Sequence, residues 1–293
     1  MALLYKPGTA SDFAIAVRVT GQVSGSGREM LARTVSSLVL SSILIACLYF
    51  GRPFFHLLVF GAAGLMAWEW ARLCGRGAVG AGGAAVLLGC LVVVVLATFK
   101  VNGGASLALI LAALTAALIG RQKTFGESAW LGAGVIYVGG GAWAAIALYD
   151  QFQNGVWVVV WVFCVVAFTD IGAFLAGRVL GGPKLAPHVS PRKTWSGFFG
   201  GLSCAALSGL VFALAADRDA VGFHIAAALV VSLVAQVGDL FESLLKRRFE
   251  AKDSSSLIPG HGGFLDRADG LISAMIVVAL LAWWRGGVET PWI

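Results

Sequence analysis

Toward the C-terminal end, Ser232, Gln236, Asp239, Ser243 and Lys246 follow one another in steps of four, three, four and three residues, with Glu242 beside them. That spacing puts them on one face of a helix. The surrounding window is apolar, so a polar stripe there must face protein or a water-filled cavity. It runs into Lys246-Arg247-Arg248, Lys252-Asp253 and the run PGHGGFLDRAD from Pro259 to Asp269, which holds His261, Gly262, Gly263, Asp266 and Arg267. Magnesium commonly takes one or two carboxylates together with substrate phosphates. Asp239 and Asp266 bracket a basic loop and so can hold metal ions against a triphosphate. Helix-end ion pairing, such as Asp239 or Glu242 with Lys246, is the plainer alternative. It accounts for one pair and leaves Asp253, Asp266 and Asp269 interleaved with cations beside a His-Gly-Gly turn.

A second stretch, Arg178 to Gly197, carries Arg178, Lys184, Arg192 and Lys193 among glycines, prolines and the hydroxyls of Ser190, Thr194 and Ser196, with no acidic residue. Glycine lets backbone N–H groups approach phosphate. Arginine offers a fork of donors and lysine a point charge. The stretch reads either as a polyanion cradle or as a basic loop lying on anionic lipid headgroups. Asp170 sits two turns before Arg178, inside an apolar segment, and an ionisable group there is a functional candidate. Glu69, between Trp68 and Trp70 and near Arg72, reads as an ordinary interfacial residue, since tryptophans favour that zone.

The elements that must position these residues are membrane helices. Hydrophobic residues make up 59% of the 293 and charged residues 12%, with a mean hydropathy of +0.87. A soluble domain carries about 25% charged residues, so most side chains here face something apolar. About 20 apolar residues cross a bilayer core as a helix. On that measure the sequence predicts an all-α polytopic membrane protein with about nine spans, near 34–51, 54–73, 79–98, 104–120, 129–149, 155–177, 197–216, 221–245 and 268–284. The 39 glycines serve close helix packing. Of the 21 Lys and Arg residues, Arg52, Lys100, Arg218 and Arg285 fall on one side and the other 17 on the opposite side. Basic residues mark the cytoplasmic side, which puts the N-terminus and both motif loops inside and the C-terminus outside. That bias explains the pI near 9.3 without nucleic-acid binding. Residues 1–33 form a cytoplasmic tail without a cleavable signal, 34–150 the first five spans, and 151–293 a catalytic region with the two motif loops. The five cysteines, without a Cys-x-x-Cys pair, read as small buried side chains.

At these residues the chain resembles the phosphatidate cytidylyltransferases (CDP-diacylglycerol synthases) of the CdsA type. The stretch from Ser243 to Asp269 is similar to that family's signature at Ser243, Lys246-Arg247, Lys252-Asp253, Pro259, His261-Gly262-Gly263, Asp266-Arg267 and Asp269. The stretch from Asp170 through Gly181-Gly182-Pro183-Lys184-Leu185 to Ser190-Pro191-Arg192-Lys193-Thr194-Trp195 resembles its other shared block, and Glu69-Trp70 also fits. Ser196 departs from a common Glu, Phe174 from Tyr, and Ala268 from a bulkier apolar residue. Ser196 removes a carboxylate, and a rim or supporting role suits that position.

The resemblance implies a membrane-embedded polar site open to cytoplasm and lipid in the cell's inner membrane, and a homodimer. The implied reaction joins CTP and phosphatidate into CDP-diacylglycerol and pyrophosphate. Asp239 and Asp266 would hold magnesium, with a monovalent cation such as K+ as a second ion. Lys246, Arg247, Lys252 and Arg267 would bind phosphates. Arg192 and Lys193 would clamp pyrophosphate or the lipid headgroup, with Asp170, Lys184, Ser190, Thr194, Ser243, Asp253, Gly262, Gly263 and Asp269 completing the substrate site. A phosphate monoester has its second pKa near 6, so the nucleophile needs no general base, and His261 is expected to orient a phosphate or support a metal ligand. Two rivals are a CTP-dependent lipid kinase and a cation-coupled transporter relaying ions through Asp170 and Asp239. The short, nearly bare loops on the outer side weigh against transport.

Overall fold

The computed structural model describes residues 35–36, 38–120, 125–151, 154–215, 221–258 and 262–284. The N-terminal tail and Pro259, Gly260 and His261 lie outside the described residues.

The chain folds as a bundle of antiparallel helices: α1 (Leu38–Phe50), α2 (Arg52–Cys74), α3 (Ala81–Thr98), α4 (Asn102–Ile119), α5 (Phe125–Gly134), α6 (Gly140–Gln151), α7 (Gly155–Val179), α8 (Trp195–Ala215), α9 (Val221–Arg248) and α10 (Leu265–Trp284). Among the described residues, seven helical segments are long and apolar enough to cross a membrane, with α5 and α6 together forming one of them, Gly126–Gln151. The shorter α1 and the 20-residue α10, whose first turns hold Asp266, Arg267 and Asp269, are the two other segments that the hydropathy pattern marks as spans.

Local chemistry sets the breaks. Gly51 separates α1 from α2 with a φ of 94°, which costs a residue without Cβ little, and Pro53 follows in the first turn of α2, where its missing N–H goes unused. One π-helical turn, Val135–Gly139, joins α5 to α6. Beside it the Trp70 indole donates to the carbonyl of Trp130 at 2.7 Å. The fully buried Trp70, Leu131, Val135, Ile146 and Leu148 belong to the apolar core built around α2 and this helix. On α4, by contrast, Leu107, Ile110, Leu111, Leu114 and Leu118 are exposed, as expected of a helix whose outer face meets lipid.

The helices that carry the motifs pack through small residues. Between α7 and α8 a Cβ added at Gly200 would lie 2.3 Å from the Cβ of Ala176, so glycine is what lets the two backbones meet. That crossing brings Asp170 on α7 under the loop that leads into α8.

The loop itself corrects the all-helical expectation. Strand β1 (Lys184–Ala186) pairs antiparallel with β2 (Ser190–Thr194), with Lys184 opposite Thr194 and Ala186 opposite Ser190. Pro183, Pro187 and Pro191 punctuate this stretch and bar a helix. The strands are short and polar, so no alternation of apolar residues announces them. Thr194 ends β2 and caps α8, accepting the Gly197 N–H at 3.1 Å.

Candidate active site

The motif residues gather in two tiers around α9. The upper tier lies where the end of α9 meets the start of α10. Lys246 Nζ is paired with Glu242 one turn back, and it donates to Asp266 Oδ1 at 2.6 Å. Asp266 Oδ2 accepts the Gly263 N–H at 2.7 Å and the Ser254 N–H at 3.0 Å, and the Ser254 hydroxyl stands 2.9 Å away. One oxygen of Asp266 is thus held by α9 and the other by the loop it closes.

Behind Asp266 stands Glu69 from α2, 0% exposed. Its carboxylate accepts the backbone N–H of Leu265 at 2.6 Å and of Phe264 at 2.9 Å, and the Ser255 hydroxyl at 2.6 Å. The Ser254 hydroxyl, 3.2 Å from Glu69, links the two carboxylates. A negative group at a helix N-terminus satisfies orphan N–H groups and meets the positive end of the helix dipole. Glu69 is therefore an anchor for the second motif loop. The expectation of an ordinary interfacial residue near Arg72 is corrected, for the Arg72 guanidinium stacks over Trp68, 4.8 Å from the ring centroid. Gly263 is confined by the same cage: a Cβ there would fall 1.9 Å from Ser254 Oγ and 2.6 Å from Glu69 Oε1. An antiparallel bridge between Ile258 and Gly262 closes the loop, with N–H···O distances of 2.8 and 3.2 Å.

The lower tier lies two turns back along α9, at Asp239. Lys193 of β2 reaches Asp239 Oδ2 at 2.7 Å, and the Asp239 side chain remains 43% exposed. Both line a cleft of about 460 Å³ together with Asp170, Arg178, Arg192 and Gln236. Asp170, Asp239 and Asp269 lie within Coulombic reach of one another, and Lys193 within reach of Asp170 and Asp269. Tyr137, carried on the π turn, donates to the carbonyl of Asp269 at 2.7 Å and holds that part of α10 in place.

The structure therefore brings Asp170, Arg192, Lys193, Thr194 and Asp239 to one cleft. It places Asp266, Gly263 and Lys246 in the adjoining cage instead. Arg247 donates to the carbonyl of Val189 at 3.3 Å and ties α9 to the hairpin turn. Lys184 and Ser190 belong to the hairpin ladder. Asp253 lines a separate surface pocket with Arg72 and Arg76. Lys252 is exposed and Ser243 half-buried. A Cβ at Gly262, whose φ is 87°, would lie 2.8 Å from Asp266 Oδ2, so that glycine serves the cage. Ser196 donates to the carbonyl of Gly181 and stands 3.0 Å from the Thr194 hydroxyl, which fixes the loop before the hairpin to the start of α8. His261 lies outside the described residues.

Among the described residues no group of three or more His, Cys, Asp or Glu side chains is placed to hold a metal ion. The lower tier nonetheless suits a hard cation that shares its coordination with substrate. Asp239 and Asp170 line the cleft together and Asp239 keeps an exposed oxygen surface there, enough for the one or two carboxylates that magnesium commonly takes beside substrate phosphates. Asp266 offers less, because its oxygens are occupied by N–H, hydroxyl and ammonium donors.

The chain is similar to known proteins over most of its length. A phosphatidate cytidylyltransferase of Pseudomonas aeruginosa is 36% identical over 266 residues, covering 87% of this chain and 97% of that protein. Proteins of the same name from Brucella suis (48% identical over 152 residues, 52% of this chain and 56% of the relative) and Staphylococcus saprophyticus (39% over 162 residues, 55% and 60%) match over shorter stretches. The chain thus spans just over half the length of the Brucella relative it matches. The profile of the cytidylyltransferase family matches residues 31–284, a stretch that contains every residue of both tiers. The chain belongs to the cytidylyltransferase family.

Proposed function

We propose that the chain is a membrane-embedded phosphatidate cytidylyltransferase that converts CTP and phosphatidate into CDP-diacylglycerol and pyrophosphate. The observation that carries the reading is the cleft where Lys193 and Arg192 stand over Asp239 and Asp170, at the polar end of helices otherwise built for lipid. A triphosphate needs cations, and an activated phosphoryl group needs a metal. Both kinds of group converge there, within reach of a lipid headgroup.

In this reading Arg192, Lys193 and Arg178 bind the nucleotide phosphates. Asp239, with Asp170 and Asp269 behind it, would hold Mg2+, which supplies Lewis-acid polarisation of the α-phosphoryl group and neutralises the leaving pyrophosphate. Lys246 and Asp266 act as positioning residues, since their cage fixes α10 against α9. An ionised oxygen of the lipid phosphate forms the new bond to the α-phosphorus, the bond to the bridging oxygen of the β-phosphate breaks, and pyrophosphate leaves with the electron pair. The nucleophile's second pKa near 6 leaves no proton to remove. Nine spans with the N-terminus and both motif loops on the cytoplasmic side of the inner membrane suit the basic bias of that side, and a homodimer is carried as an expectation from the family.

The test is a purified-protein assay with α- or γ-labelled CTP. Transfer of the α-label into organic-extractable lipid with phosphatidate as acceptor, and release of the γ-label as pyrophosphate, is the expected result. Label entering lipid from γ-labelled CTP with an alcohol acceptor would make the protein a lipid kinase instead.

A further inference from the structure

Helix α10 has two chemically distinct faces. Asp266 and Ser273 turn toward α9 and the π turn, where they meet Lys246 and Tyr137, and the Asp269 carbonyl accepts the Tyr137 hydroxyl. Phe264, Arg267, Leu271 and Met275, at spacings of three and four, line a groove on the opposite side, whose other walls come from α1, α2, α6 and α7. Among the described residues that line this groove, Arg267 alone carries a charge.

The groove has the dimensions of a lipid's apolar part. Along α2 it runs from Phe55 to Met66, eleven residue steps, or about 16 Å at the helical rise. That is about half of a 30 Å hydrocarbon core, the depth of one leaflet. Its charged end is at the first turn of α10, the end that carries the motif loop and the cleft. Helix α7 borders both spaces, its Val159 and Phe163 lining the groove and its Asp170 lining the cleft. An apolar trough one leaflet deep, with one guanidinium at its polar end, matches an acyl chain whose phosphate meets the arginine. Arg also prefers phosphate as a fork of donors.

We propose that this groove holds an acyl chain of the lipid phosphate acceptor, with Arg267 on its phosphate, and that the nucleotide occupies the separate hairpin cleft. The assignment rests on the proposed activity and adds an approach geometry to it. The two anionic substrates enter by separate openings, the groove and the cleft, and meet near Asp239. Arg267 is a phosphate-binding residue for the lipid, and Arg192 and Lys193 serve the nucleotide alone.

A photoreactive residue tests the groove without turnover. With p-benzoylphenylalanine replacing Phe163 of α7, the protein is reconstituted in phosphatidylcholine vesicles containing a small fraction of phosphatidate and irradiated without CTP. Intact-mass measurement should show phosphatidate adducts far above their share of the bilayer, while the same probe at Leu207, on the exposed side of α8, should report bulk composition. Arg267→Gln should remove the enrichment and Arg267→Lys should restore part of it. Adducts in bulk proportion at position 163, or crosslinks from it to residues 1–34, would overturn the proposal. Because Arg267 variants can misfold, groove filling gives a second readout. Ala62→Phe should lower the ratio of kcat/KM for dioleoyl over dihexanoyl phosphatidate at least tenfold, and an unchanged ratio would sink the acyl-chain assignment. Phosphatidate-enriched adducts at position 163, together with a wild-type protein that releases no pyrophosphate from CTP, would refute the activity and leave the groove intact.

Discussion

Glu69 accepts the backbone N–H of Leu265 at 2.6 Å across 196 residues of sequence, so a carboxylate of the second helix caps the last one. Everything the second motif loop presents to the site hangs from that contact and its neighbours.

Glu69→Gln should therefore destabilise the protein and slow it together. The amide would turn donors toward the N–H and hydroxyl groups that now donate to Glu69. A buried group left unsatisfied costs about 1–3 kcal/mol. Thermal unfolding in detergent should shift down, and turnover should fall through displacement of Asp266. An unfolding temperature equal to wild type would mean that the cap contributes nothing.

Asp239→Asn and Asp266→Asn should part company. Asp239 is half-open to the cleft with Lys193 as its ion-pair partner, so its loss should leave the fold intact. Turnover should fall by about 10²–10³ or more, the scale of losing transition-state charge stabilisation. Asp266 closes the cage with Lys246, Ser254 and Gly263, so its loss should lower stability as well as rate. Magnesium titration separates them further: the Asp239 variant should need far more metal for half-activity. An Asp266 variant as stable as wild type would contradict the cage reading.

Gly263→Ala should be poorly tolerated although no catalytic group is touched. The new methyl has no room between Ser254 and Glu69. One of the two carboxylate contacts must open, and the variant should resemble Glu69→Gln in both unfolding and activity. Full activity in Gly263→Ala would show that the loop relaxes freely.

Ser196→Ala removes the donation to Gly181 that holds the pre-hairpin loop against α8. A net cost near 1 kcal/mol is expected for one such bond, and looser hairpin placement should raise KM for CTP more than it lowers kcat. A change in kcat alone would place Ser196 closer to the reacting atoms than its hydrogen bonds suggest.

The sequence made the helices legible because the segments are long and nearly free of charge, and it made the α9 stripe legible because i, i+3 and i+4 spacing is a local property. Asp239 and Asp170 stand out as charges in apolar segments and Lys193 as a cation of a Gly- and Pro-rich loop, and the three share a cleft. The cage was hidden for a different reason. Glu69 and Ser254 are 185 residues apart, and nothing local distinguishes a carboxylate beside two tryptophans at a membrane interface from one that caps a distant helix. Asp239 and Asp266 looked interchangeable as ligands because spacing along the chain does not report which oxygens other donors already occupy. The hairpin escaped because its strands carry lysine, arginine and proline where strand patterns need alternating apolar residues.

The π turn at Val135–Gly139 has a consequence for the span that contains it. A π turn holds one residue more than an α turn would, so the two halves of Gly126–Gln151 run in different angular phases. With the same residues wound as continuous α-helix, all that follows the turn would be rotated by about 100°, and buried Ala142, Ile146 and Leu148 would swing away from their neighbours. Deleting one residue from Ile136–Val138 would instead close the span as α-helix with those residues near their present phase, at the expense of the Tyr137 contact to the carbonyl of Asp269. The turn thus acts as a spacer, and a one-residue deletion within it should do less damage than the same deletion elsewhere in the span.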